Sequence, residues 1–245
     1  MRKSKVVSWV VVALLGFSTV GLAEGDVSVG VTADFFSKYV WRGQNLVDDW
    51  VFQPGVSVGY KGLTGSVWGN LEMTDENGNS GEFTEIDYTV DYSGKITEII
   101  GFSVGAIYYD FPNTGFDGTT ELYWGFAFDV PLSPSITVYH DVDEVEGTYA
   151  SLGIGHSFEF PESMPVGVDL GASLGWGDSD YNAGYWGTTG SEFNDLVLSA
   201  AFPFTVGPVS VTPSVHYVLL VGSDISDAVA DDDVVYAGVG FGYDF

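Results

Sequence analysis

The sequence predicts an all-β chain, a transmembrane antiparallel up-and-down β-barrel of about 12 strands, and three observations carry that prediction. From residue 26 onward, segments of about ten residues alternate large apolar side chains with small or polar ones, the period-2 signature of strands whose two faces meet different surroundings. Short turns alternate with long acidic loops along the chain, as in a barrel with its turns on one side of a membrane and its loops on the other. The chain also opens on MRKSK, the apolar run VVSWVVVALLGF and the small-residue stretch Gly21-Leu22-Ala23, the three-part layout of a secretory leader.

Residues 1–23 therefore read as a signal peptide and residues 24–245 as a single barrel domain. The apolar run is shorter than the roughly 20 residues a spanning helix needs. Of the 7 lysines and arginines, Arg2, Lys3 and Lys5 precede residue 24, which leaves 4 against 34 acidic residues, a net charge of −30. That balance argues against nucleic acid as a partner. With no cysteine, the exported chain has no disulfide framework and must hold by backbone pairing and packing. The full sequence's 33 glycines and 16% aromatic content also separate it from a disordered acidic tail.

Twelve segments are expected, taken in order. The first, residues 26–42, sets Val27, Val29, Val31, Ala33, Phe35, Tyr39 and Trp41 on one face and Asp34, Lys38 and Arg42 on the other. The second and third, 51–61 and 63–73, join through KGL, and the third carries the WGN stretch. In the fourth, 82–93, Ile86, Tyr88, Val90 and Tyr92 oppose Glu85, Asp87, Thr89 and Asp91. The fifth, 97–111, follows the turn SGKI. In the sixth, 119–131, Leu122, Trp124, Phe126, Phe128 and Val130 oppose Glu121, Tyr123, Gly125, Ala127 and Asp129. The seventh to tenth, 134–142, 147–160, 165–176 and 193–205, are set off by the turns LSP and FPESM and by the loops DEVEG and GDSDYNAGYWGTTGSEF. The eleventh, 208–221, follows VGP and lines Ser210, Thr212, Ser214 and His216 along its inner face. The twelfth, 234–245, alternates Val235, Ala237, Val239, Phe241, Tyr243 and Phe245. An even count returns both ends of the wall to the turn side. A soluble lipocalin-like barrel would turn its apolar faces inward; the leader, the loop asymmetry and the strand-end Tyr and Trp residues favour the bacterial outer membrane, with the turns in the periplasm.

SKYVWRGQ at 37–44, WGN at 68–70, EIDYTVDYSG at 85–94 and a terminal Phe245 together resemble the TorF-type porin family, over nearly the whole mature chain and most specifically in its first third. The resemblance implies an outer-membrane barrel in a Gram-negative bacterium, with poorly defined cargo. A final aromatic after an alternating strand also looks like the C-terminal signal read by the barrel-assembly machinery. The expected partners are thus outer-membrane lipids, that machinery and small hydrophilic solutes; no cofactor is indicated.

The pore-lining set expected from the alternation is Asp34, Lys38, Arg42, Trp68, Glu72, Glu85, Asp87, Asp91, Glu121 and Asp129. Lys38 and Arg42 are placed to neutralise Glu72, Glu85, Asp87 and Asp91, because unpaired buried charge is costly. Either an internal brace or a substrate-contacting constriction fits that arrangement. Lys61 and Lys95 fall in or beside turns, so the loop side is acidic, with clusters at Asp141, Asp143, Glu144 and Glu146 and at Asp231, Asp232 and Asp233. Such a mouth predicts a porin-like channel that prefers cations. Two alternatives remain: a structural or adhesive barrel with a closed lumen, whose loop residues Tyr181, Tyr185 and Trp186 either contact a surface or fold over the barrel as a plug, and a less favoured outer-membrane lipid hydrolase using His140 or His156. About twelve strands allow at most a narrow pore.

Overall fold

Alternation of β-branched, aromatic and small residues produces long antiparallel strands. The computed structural model describes residues 27–158, 160–161 and 166–245; the expected leader and most of the FPESM turn lie outside these. Along the chain come β1 (Ser28–Phe36), two short strands β2 (Tyr39–Trp41) and β3 (Gln44–Val47), then β4 (Val51–Tyr60), β5 (Leu63–Glu72), β6 (Phe83–Lys95), β7 (Ile100–Asp110), β8 (Thr119–Phe128) and β9 (Ser135–Asp141). There follow β10 (Thr148–Phe158), β11 (Val168–Gly177), the helix α1 (Ser179–Tyr185), β12 (Glu192–Ala201), a short β13 (Phe204–Val206), β14 (Val209–Leu220), one helical turn α2 (Ser223–Ser226) and β15 (Asp233–Asp244).

Among the described residues, twelve of these strands form the wall: β1, β4 to β12, β14 and β15. Each pairs antiparallel with its neighbours, β12 pairs with β14 past the short β13, and β1 pairs with β15 from Gly30↔Asp244 to Phe36↔Gly238. The sheet is therefore closed and leaves no unpaired edge, which a membrane interior requires.

The facing follows the expected sign. Val56, Val67, Tyr88 and Tyr108 lie side by side across β4 to β7, all exposed on the outer surface. Leu122, Trp124, Leu152 and Ile154 continue the belt on β8 and β10. So much contiguous apolar surface belongs in lipid. On the other face, Trp68, Asp87 and Tyr109 adjoin across β5, β6 and β7 and point inward.

Two expectations need correction. The first segment is not one strand to residue 42. The wall strand stops at Phe36, and β2 and β3 fold inward as a hairpin whose Tyr39, Val40, Trp41 and Val47 are buried in the lumen. Its two central residues, Arg42 at φ 46° and Gly43 at φ 90°, both adopt the left-handed conformation that a two-residue hairpin turn demands. A Cβ on Gly43 would lie 2.8 Å from Leu220 Cδ2 and 2.9 Å from Asp195 Cβ, so glycine is also needed for the tip to seat. Asp129, expected inside, lies past the end of β8 on the exposed turn before β9, where β8 can no longer aim it at the lumen.

Candidate functional site in the barrel lumen

The hairpin tip carries Arg42 into the barrel, where it is 3% exposed. Its Nη1 and Nη2 donate to Oε1 and Oε2 of Glu121 on β8, each at 2.7 Å, in a parallel fork. Tyr109 Oη on β7 donates to the same Glu121 Oε2 at 2.7 Å and fixes the carboxylate from its other side. Charge-assisted, two-pronged bonds of this kind are among the strongest side-chain pairings, and in a site closed to water they are weakly screened. Aromatic faces surround the cation: Cζ lies 4.4 Å from the Trp41 ring centroid, 4.2 Å from Tyr139, 4.6 Å from Tyr149 and 5.9 Å from Tyr181. Tyr139 and Tyr149 are directly paired on β9 and β10, so the wall itself presents two adjacent rings to the guanidinium.

The long fifth loop closes over this cage. Asp178 caps α1 by accepting from the Tyr181 amide at 2.8 Å. Tyr181 is fully buried, 5.3 Å from the Tyr149 ring and 4.6 Å from that of Tyr185, which itself lies 5.1 Å from Trp41. Below, Asn194 Nδ2 donates to Asn182 Oδ1 at 2.7 Å and Asn194 Oδ1 accepts from the Gly177 amide at 3.1 Å, tying the helix to β11 and β12. Tyr185 and Trp186 pack against the same buried cluster, so these aromatics fold over the barrel and do not project outward.

The carboxylates form an uneven set. Glu85 and Asp87 are neighbours on the inner face of β6, both buried, with the Tyr39 hydroxyl beside Glu85. Asp87 interacts directly with the adjoining Glu85 carboxyl, while one oxygen each of Glu72 and Asp195 has no hydrogen-bond partner. Asp91 is bonded by Ser103 Oγ and by Tyr123 Oη, the latter at 2.7 Å. Asp141, expected among the free charges of the mouth, is buried and accepts from Thr119 Oγ1 at 2.7 Å and from the amides of Asp143 and Val145 at 2.9 and 3.2 Å, which organises the fourth loop.

The structure redistributes the expected ion pairs. Arg42 reaches Glu121, and Lys38 bonds Asp48 at the rim; neither hydrogen-bonds Glu72, Glu85, Asp87 or Asp91. A strand-bound basic residue would meet carboxylates at its own level of the wall, whereas a folded-in hairpin carries Arg42 across the lumen. Asp34 points inward opposite Gly240 on β15, and the Trp68 ring lies tilted, 5.8 Å from that of Tyr39 on the hairpin. His140 lies within hydrogen-bond distance of Thr148 Oγ1, and His216 stacks on Tyr236 at 4.6 Å with Ser214 Oγ 3.0 Å from its Nε2. Tyr139 was the wall residue that residue-by-residue reading missed; the alternation shared by Tyr123, Tyr139 and Tyr149 was the signal that could have found it.

A closed, apolar-belted antiparallel barrel of twelve strands, with its lumen partly filled by a loop, is a porin-like architecture. No known sequence family matches the chain, and no curated protein resembles it in sequence. The solved structures it is similar to include the NanC porin, at 13% identity and a TM-score of 0.51 over 89% of this chain and 98% of that one. Another is the KdgM porin in complex with disordered oligogalacturonate, at 11% identity and a TM-score of 0.56 over 89% and 99%. A third is an outer membrane channel from Pseudomonas putida F1, at 8% identity and a TM-score of 0.54 over 91% and 97%. The chain thus has the fold of bacterial outer-membrane channels, and its lipid-facing belt fits it to that membrane.

Proposed function

We propose that the protein is a narrow outer-membrane channel for passive passage of small hydrophilic solutes, with a preference for cations, and that it is a TorF-type porin. The observation that carries this reading is the charge of the lumen: Glu72, Glu85, Asp87, Glu121, Asp141 and Asp195 are buried around a single buried guanidinium. Their field favours cations and disfavours anions. The KdgM structure holds an oligogalacturonate, an anionic chain; the acidic lumen here argues for solutes of the opposite sign. Asp34, Trp68 and Asp91 complete the proposed lining, with Lys38 at its outer rim. The exposed Phe245, whose amide bonds the Val29 carbonyl at 2.9 Å, is the proposed contact for the assembly machinery.

Planar-bilayer recording across a salt gradient tests the reading. The reversal potential should report cation preference, and that preference should shrink as the screening length falls to roughly 3 Å at 1 M salt. Arg42→Ala should raise it by freeing Glu121. Anion preference would sink the selectivity. A second reading, a structural or adhesive barrel with a closed lumen, is favoured by the burial of β2, of Val47 on β3 and of Tyr181 on α1; complete absence of conductance, with the barrel folded, would select it.

A further inference from the structure

The cage around Arg42 has the features of a ligand site with its own occupant supplied by the chain. Most of its walls come from elsewhere: Glu121, held by a hydrogen bond from Tyr109, binds the cation's edge, and Tyr139 and Tyr149 its faces. The hairpin that delivers Arg42 is separable from the barrel. Its strands pair only with each other, from Tyr39↔Val47 to Trp41↔Gln44, so withdrawing it breaks no hydrogen-bond ladder of the wall.

We propose that this cage is a recognition site for guanidinium-bearing solutes, and that Arg42 is a tethered stand-in which such a solute displaces, moving the hairpin out of the lumen. The inference rests on the reading of the barrel as a channel for cationic solutes and names their class. Guanidinium is favoured over ammonium because a carboxylate fork matches two coplanar N–H groups and flanking rings match a planar, delocalised cation. Exchange of one guanidinium for another conserves the charge of the pocket. Because the internal ligand acts at an effective concentration in the millimolar range, displacement needs solute at comparable levels.

The absence of cysteine permits a direct test. Val47→Cys places one thiol on the buried inner side of the hairpin, and its rate of reaction with a maleimide is measured in the detergent-solubilised barrel. Methylguanidinium chloride at about 10–50 mM should accelerate labelling at least fivefold over sodium chloride at equal ionic strength. Adding Glu121→Gln should make labelling fast and indifferent to the probe. Equal rates in the two salts would overturn the proposal, and equal acceleration by methylammonium would overturn its guanidinium preference. If Val47→Cys does not fold, Arg42→Ala serves instead: methylguanidinium should change tryptophan fluorescence saturably, at least tenfold more weakly once Glu121→Gln is added, and an unsaturable response would refute the site. Neither readout needs conductance. A barrel silent in bilayers but responsive here supports the site while sinking the channel reading, whereas a conducting barrel that ignores the probe sinks the site alone.

Discussion

Glu121 meets a guanidinium that lies 79 residues earlier in the chain and arrives through a folded-in hairpin. Alternation along β8 was enough to put the carboxylate inside. Its partner was not legible, because the same alternation runs from β1 straight through SKYVW, and Arg-Gly is a less familiar turn pair than Asn-Gly. Arg42 is indeed inside, though not by the route the periodicity implied. Removing one partner of a buried ion pair typically costs about 3–5 kcal/mol, since the other is left uncompensated. Glu121→Gln should therefore free the hairpin without opening the wall: amide exchange across Tyr39–Val47 should quicken by roughly two to four powers of ten, while β6 to β8 stay protected. Unchanged exchange in the hairpin would show that ring packing alone seats it.

At the scale of elements, the strand limits were legible to within a few residues where turns are short, because a turn fixes the register on both sides. The loops were not. GDSDYNAGYWGTTGSEF has too few residues in helical periodicity to announce α1, yet Asp178 is a good N-cap and Tyr181 an anchor that only the opposite wall explains. Deleting residues 179–189 should increase single-channel conductance, because it removes Tyr181 and Tyr185 from the lumen; unchanged conductance would mean that the hairpin alone sets the constriction. The dock should also sense acid. Partial burial pushes the Asp178 carboxyl up, but hydrogen bonds from the Tyr181 and Thr148 amides, the Thr148 hydroxyl and the Asp180 amide outweigh it and hold the group below its usual 3.8. A depressed carboxylate stabilises the docked loop above its unfolded value and loses that effect as pH falls through the folded one. Loop protection against protease should thus hold at pH 5 and decline below 3.8, and Asp178→Asn should remove that step.

For the whole molecule, closure and facing were readable because a barrel wall obeys one rule everywhere: period 2, with one face for lipid. What fills the barrel was not readable, since the filling depends on long-range approach and obeys no local rule. The wall also makes a definite demand on the last strand. Removing residues 233–245 takes away β15 and leaves one edge each of β1 and β14 unpaired, so the truncated chain should lose the heat-modifiable gel mobility of a closed barrel. Retained heat-modifiability would mean that an eleven-strand wall can reseal.

The seam between β1 and β15 also ties the filling of the lumen to the closure of the wall. Phe36 pairs with Gly238, the Ser37 amide donates to the Ala237 carbonyl at 2.8 Å, and the inward hairpin begins two residues later. The hinge of the internal occupant is thus spliced onto the join that closes the cylinder. Whatever moves the hairpin pulls on the last hydrogen bonds of that join, and whatever loosens the join frees the root of the hairpin, so lock and door hang on one post.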